Sequence, residues 1–143
     1  MDAVSSAIAQ KQAGILGIHL EGPFANPDRK GIHATEPITS FNCAEISLLT
    51  TLPKSGTTLL TVAPEQLSDA SIRLLTQAGV LVFCDHSNAT YERIVDAIEH
   101  GRLCGVTHLF TQFIFMVGQS TMHSSAQPQL LLRYLNNTDN VVA

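Results

Sequence analysis

Residues 14–33 read GILGIHLEGPFANPDRKGIH, an apolar run that ends in a histidine, a carboxylate and then a Gly-Pro pair. A short buried strand over 14–21 delivers His19 and Glu21 two residues apart, so both side chains leave the same face. Gly22 and Pro23 are expected to stop that strand at once. A carboxylate at the tip of a buried strand is costly unless something positive meets it, and a metal ion is the obvious candidate. Two further runs end strand-like segments in histidine: VLVFCDHS (80–87) and GVTHLF (105–110).

On either side of this strand the chain alternates. Residues 2–13 read as a helix and 22–38 as a long Gly/Pro/Asn loop. After Thr39-Ser40, a plausible N-cap, Ile46, Leu48, Leu49 and Leu52 give helical spacing to 42–52. Lys54-Ser55-Gly56 ends that helix, and TTLLTVAPE (57–65) is the next strand. Ser68 caps a helix closed by Gly79. VLVFCDH (80–86) is a strand, Tyr91 to His100 a helix with Gly101 beyond it, and CGVTHLF (104–110) the fourth strand.

Strands alternating with helices predict an α/β fold of parallel βαβ units. Near-continuous apolar strands agree, since a parallel sheet is covered on both faces. Four such units are half of a TIM-type (β/α)8 barrel, which typically takes ~250 residues. The expectation is an incomplete barrel or a small open α/β domain over 1–110. Residues 111–143 form a divergent, Gln/Ser/Asn-rich tail without a legible strand–helix unit.

At 143 residues with 45% hydrophobic and 14% charged residues, the chain can bury a real core. Its net charge of −4 comes without a basic cluster, which argues against nucleic acid as a partner. No apolar run approaches the ~18 residues of a membrane span, and MDAVSSAIAQKQAG does not read as a secretory signal. Cys43, Cys84 and Cys104 are odd in number and scattered, which fits reduced thiols in the cytoplasm.

Glu21, His86 and His108 each close a separate strand, at the edge where parallel α/β folds collect ligands. Two imidazoles and a carboxylate match a catalytic metal set with one position open for water, and imidazole favours Zn²⁺ or Fe²⁺ over Mg²⁺. His19 is a further ligand, an orienting group behind one, or a neutral histidine inside the sheet. Cys84 is expected in the core, and Asp85, of opposite parity to His86, is expected to face the helices. Lys30 and His33 are either anion or hydroxyl binders over the same edge or plain solvated loop residues.

At LGIHLEGPFANPDRKGIH (16–33), VAPE (62–65), HSNATYE (86–92) and THLF (107–110) the chain resembles the N-acetylglucosamine-6-phosphate deacetylases of the amidohydrolase superfamily. The resemblance implies one divalent metal per subunit, zinc or iron, on Glu21, His86 and His108. It also implies His33 as a sugar-phosphate contact, often given across a homodimer, and hydrolysis of N-acetylglucosamine 6-phosphate to glucosamine 6-phosphate and acetate. The departures carry weight too. THLF is followed by Thr111-Gln112-Phe113, where the family has Asn-Ala-Met and later an Arg-Glu-Pro-Gly segment. The family's catalytic aspartate has no counterpart, because the only acid after His108 is Asp139. The family's N-terminal β-sandwich and first barrel strands are also without a match, and the break in pattern after Phe110 is what a truncated or frame-shifted gene would produce. The expected activity is therefore weak or lost. The alternatives are a non-catalytic metal- or sugar-phosphate-binding remnant and an amidohydrolase of other specificity.

Overall fold

Four parallel strands lie side by side in chain order in the computed structural model, which describes residues 1–31, 43–52 and 56–107. The elements run α1 (Asp2–Ala9), β1 (Gly17–Phe24), α2 (Cys43–Leu49), β2 (Thr57–Val62), α3 (Asp69–Gln77), β3 (Leu81–Cys84), α4 (Tyr91–Asp96) and β4 (Gly105–Val106). This is the expected βα alternation. Ser68 Oγ accepts the Ser71 N–H at the start of α3, and Thr90 Oγ1 accepts the Arg93 N–H at the start of α4. Each cap satisfies an amide that has no partner inside its helix.

The register fixes which residues share a face. Leu60 pairs with Val82, Thr61 with Phe83, and Val62 with Cys84, while Cys84 pairs with Val106 on the far side. Leu60, Val62, Val82, Cys84 and Val106 form one core cluster with Ile72 and Leu75 of α3 and Ile94 of α4. By alternation His19, Leu59, Thr61, Leu81 and Phe83 belong to the other face. Cys84 is 1% exposed, in the core as expected, and burial pushes its thiol pKa far up, with the charges of Glu65 and Asp85 adding to the effect.

Several boundaries differ from the sequence reading. β1 continues to Phe24 instead of stopping at Gly22-Pro23. Its pairing with β2 shifts between Leu20 and Phe24, so the Gly-Pro pair lies in an irregularity that carries two extra residues. Among the described residues β1 pairs with β2 alone, and a proline is tolerated at a bulge on such a strand. α1 ends early, with Lys11 and Gly14 both at positive φ. β2 gives way at Pro64 to a 3-10 turn over Pro64–Gln66. α4 passes into a π-turn over Ala97–Gly101, ended by Arg102 at φ 64°. β4 spans two residues, and 108–110 of the expected strand lie outside the described residues, as do 32–40 and the 111–143 tail.

At Gly17 an added Cβ would stand 1.8 Å from the Thr57 carbonyl oxygen, so only glycine allows β1 and β2 to pair there. Among the described residues no helix is long and apolar enough to cross a membrane.

Candidate metal centre

The C-terminal ends of β1 and β3 bring a carboxylate and an imidazole together. Glu21 stands in the irregular end of β1, and His86 follows β3 by two residues. His86 Nε2 lies 3.0 Å from Glu21 Oε1, and the two side chains are 12% and 25% exposed. The other ring nitrogen, Nδ1, donates to the Arg29 carbonyl at 2.8 Å. A carbonyl can only accept, so the proton of a neutral His86 sits on Nδ1 and the Nε2 lone pair faces Glu21.

Without a metal, the 3.0 Å contact with a carboxylate calls for a proton on Nε2 as well. Burial by itself would lower the His86 pKa. The Arg29 carbonyl, the Glu21 hydrogen bond and the charges of Asp85 and Glu21 outweigh it and hold the pKa above the usual histidine value. The donor set also suits a cation. A ring fixed by its far nitrogen on a backbone carbonyl, with the near nitrogen against a carboxylate, is how protein imidazoles present themselves to metals.

Asp85 joins this pair, which corrects the expectation that it faces the helices. One ligand atom each from Glu21, Asp85 and His86 falls within 4.8 Å of the others. The physical reason is register. Strand alternation gives Asp85, not His86, the parity of Phe83 and Thr61 and hence the face opposite the helices. His86 reaches the same place because its φ is +46°, a left-handed turn that breaks the alternation after Cys84. Asp85 is 2% exposed. Its Oδ1 accepts the His86 N–H at 2.6 Å and its Oδ2 accepts the Thr107 hydroxyl at 3.1 Å.

The remaining candidates spread around the pair. His19 Nε2 and Thr61 Oγ1 are hydrogen-bonded at 2.8 Å. Lys30 is half-buried and follows the Pro27–Arg29 turn that meets His86. His33 and His108 lie outside the described residues.

Sequence reasoning missed Glu65, the last residue of VAPE. Its Oε1 accepts from Asn26 Nδ2 at 2.8 Å and from the Asn88 N–H at 2.6 Å, and its Oε2 accepts the Ser87 hydroxyl at 2.5 Å. The signals for it were its place in the VAPE motif and its position three residues beyond β2, at the edge shared by Glu21 and His86.

No family model matches the chain. Among curated proteins it is 37% identical over 109 residues to an N-acetylgalactosamine-6-phosphate deacetylase of Shewanella sp. (strain ANA-3), covering 76% of this chain and 27% of that protein. It is 38% identical over 105 residues to the N-acetylglucosamine-6-phosphate deacetylase of Homo sapiens, covering 71% and 25%. The chain thus spans about a quarter of the length of the curated relatives it matches. Among solved structures, the N-acetylglucosamine-6-phosphate deacetylase of Pasteurella multocida superposes with a TM-score of 0.68 at 26% identity, over 85% of this chain and 35% of that one. The enzyme from Mycobacterium smegmatis gives 0.63 at 35% identity, over 76% and 29%. A variant of that enzyme, solved with N-acetyl-D-glucosamine-6-phosphate, gives 0.60 at 34% identity, over 76% and 29%.

Proposed function

We propose, from this chain's standing as a partial member of the N-acetylglucosamine-6-phosphate deacetylase family, that Glu21 and His86 hold a divalent metal, zinc or iron, with His108 as the third protein ligand. The site serves hydrolysis of the acetamide of N-acetylglucosamine 6-phosphate to glucosamine 6-phosphate and acetate. The observation that carries this reading is the His86 Nε2–Glu21 Oε1 approach of 3.0 Å with Nδ1 held by a backbone carbonyl. A bound metal supplies Lewis acidity for the acetyl carbonyl and a more acidic water. The chain's own residues do the rest. Arg29 sets the tautomer of His86, Glu21 supplies negative charge, and Lys30 and His33 offer positive charge to the phosphate.

The four parallel units form part of a TIM-type barrel within residues 1–110, in a cytoplasmic enzyme that pairs as a homodimer. His19, hydrogen-bonded to Thr61, acts behind the metal ligands. A second reading, binding without turnover, is favoured by one observation: among the described residues the carboxylates grouped with His86 are Glu21 and Asp85, and both Asp85 oxygens already accept hydrogen bonds. Zinc titration of the metal-free protein tests the site. The wild type should bind one zinc, and His86→Ala and Glu21→Gln should each weaken binding at least tenfold. Equal binding by wild type and both variants would overturn the assignment. Acetate release from N-acetylglucosamine 6-phosphate and from its galactosamine epimer then separates the hydrolase from the binding remnant.

A further inference from the structure

We propose that Glu65 is a positioning residue that locks the loop after β1 to the loop after β3 and so fixes the His86 ring against Glu21. This inference rests on the metal reading above but stands on separate residues. Glu65 touches neither Glu21 nor the imidazole in any hydrogen bond described. Instead its two carboxylate oxygens accept three hydrogen bonds, one from each of Asn26, Ser87 and Asn88.

Those three partners lead to His86 by two routes. Asn26 lies in the β1 loop, is 7% exposed, and donates its backbone N–H to the His86 carbonyl at 2.9 Å. Its side-chain oxygen accepts the Asp28 N–H at 2.9 Å and so shapes the turn that contains Arg29. Ser87 and Asn88 follow His86 directly. Asn88 Oδ1 accepts from Arg29 Nε at 2.5 Å, and the Arg29 carbonyl is the group that holds His86 Nδ1. The circuit Glu65–Asn26–His86–Arg29–Asn88–Glu65 is closed, and only Glu65 comes from β2's side of it. A carboxylate suits this place because every group that faces it donates. An amide would offer one oxygen and turn an N–H₂ toward a donor.

Arg93 braces the turn from behind. Its guanidinium donates to the Pro64 carbonyl from Nε and from one terminal nitrogen, at 3.2 and 2.9 Å, and that same nitrogen donates to the Leu67 carbonyl at 3.0 Å. It also pairs with Asp69 at 2.6 Å. The residue that ties the two loops is thus itself held on both sides.

Two measurements on the full chain test this. Zinc affinity is measured by chelator competition in wild type, Glu65→Gln and Ser87→Ala. Imidazole ¹⁵N NMR of His86 is recorded on the metal-free proteins, at a pH above its titration. Glu65→Gln should weaken zinc binding about 10–100-fold, the usual cost of losing a group behind a ligand. In the metal-free protein it should turn the single Nδ1–H tautomer of wild type into an averaged pair. Ser87→Ala removes one of the three bonds and should show a smaller change of the same kind, which keeps the test open if Glu65→Gln does not fold. Unchanged zinc affinity together with an unchanged tautomer in either folded variant overturns the proposal. If the wild type binds no zinc but the tautomer still responds, the metal reading falls and the positioning role stands.

Discussion

His86 has a carbonyl at one nitrogen and a carboxylate at the other, so its charged form is favoured whenever no metal competes. The pKa of the folded protein is raised, against burial, by the Arg29 carbonyl, by Glu21 and by the charge of Asp85. A group whose folded pKa lies above its unfolded value of ~6.5 stabilises the fold fully below that value. The contribution is lost as pH rises through the folded pKa. The metal-free protein should therefore show a falling melting temperature as pH is raised from 6.5 through that titration, and His86→Gln should flatten this part of the curve. A metal-free wild type whose stability rises over the same interval would contradict the prediction. Metal binding carries the opposite sign, because a cation displaces the Nε2 proton, so zinc affinity should increase across the same window.

At the scale of elements, the βα alternation was legible because near-continuous apolar strands and capped helices leave clear marks in the sequence. The side-chain directions at the strand ends were not. Counting parity back from His86 placed Asp85 among the helices, but parity runs only while the strand lasts, and β3 ends at Cys84. The positive φ of His86 leaves no mark in composition, since histidine adopts it here without glycine's help. Glu65 was hidden for a similar reason: VAPE reads as the end of a strand, whereas Pro64 opens a 3-10 turn that swings Glu65 toward the next two loops. That turn hangs on Arg93 of α4, which supplies the following prediction. Arg93→Ala removes hydrogen bonds to two carbonyls and an ion pair with Asp69, and should cost about 1–3 kcal/mol of stability. It should also loosen zinc binding several-fold, because the Glu65 turn loses its brace. Denaturant unfolding and zinc titration on the same variant check both, and full stability with native affinity would refute the coupling.

For the molecule as a whole, the question is what a quarter of the relatives' length can do. Glu21 and His86 are already together within it, and the hydrogen bonds described around them join residues between 21 and 107, so the proposed metal site can be tested on this chain as it stands. Turnover asks for one thing more, a carboxylate free to take the proton of the attacking water and pass it to the leaving amine. On the proposed metal reading Glu21 is a ligand. Asp85 stands beside it, yet its oxygens accept the His86 N–H and the Thr107 hydroxyl, which leaves it poorly placed to exchange protons with a substrate. Among the described residues, Glu21 and Asp85 are the carboxylates grouped with His86. The zinc-loaded polypeptide should therefore release acetate from N-acetylglucosamine 6-phosphate about 10²–10⁴-fold more slowly than an enzyme with a positioned base, measured against the ~10 s⁻¹ typical of enzymes. Turnover near that typical value would show that a base is present. Asp85→Asn would then identify it: loss of the fast rate with zinc affinity intact would assign the role to Asp85, despite its two hydrogen bonds.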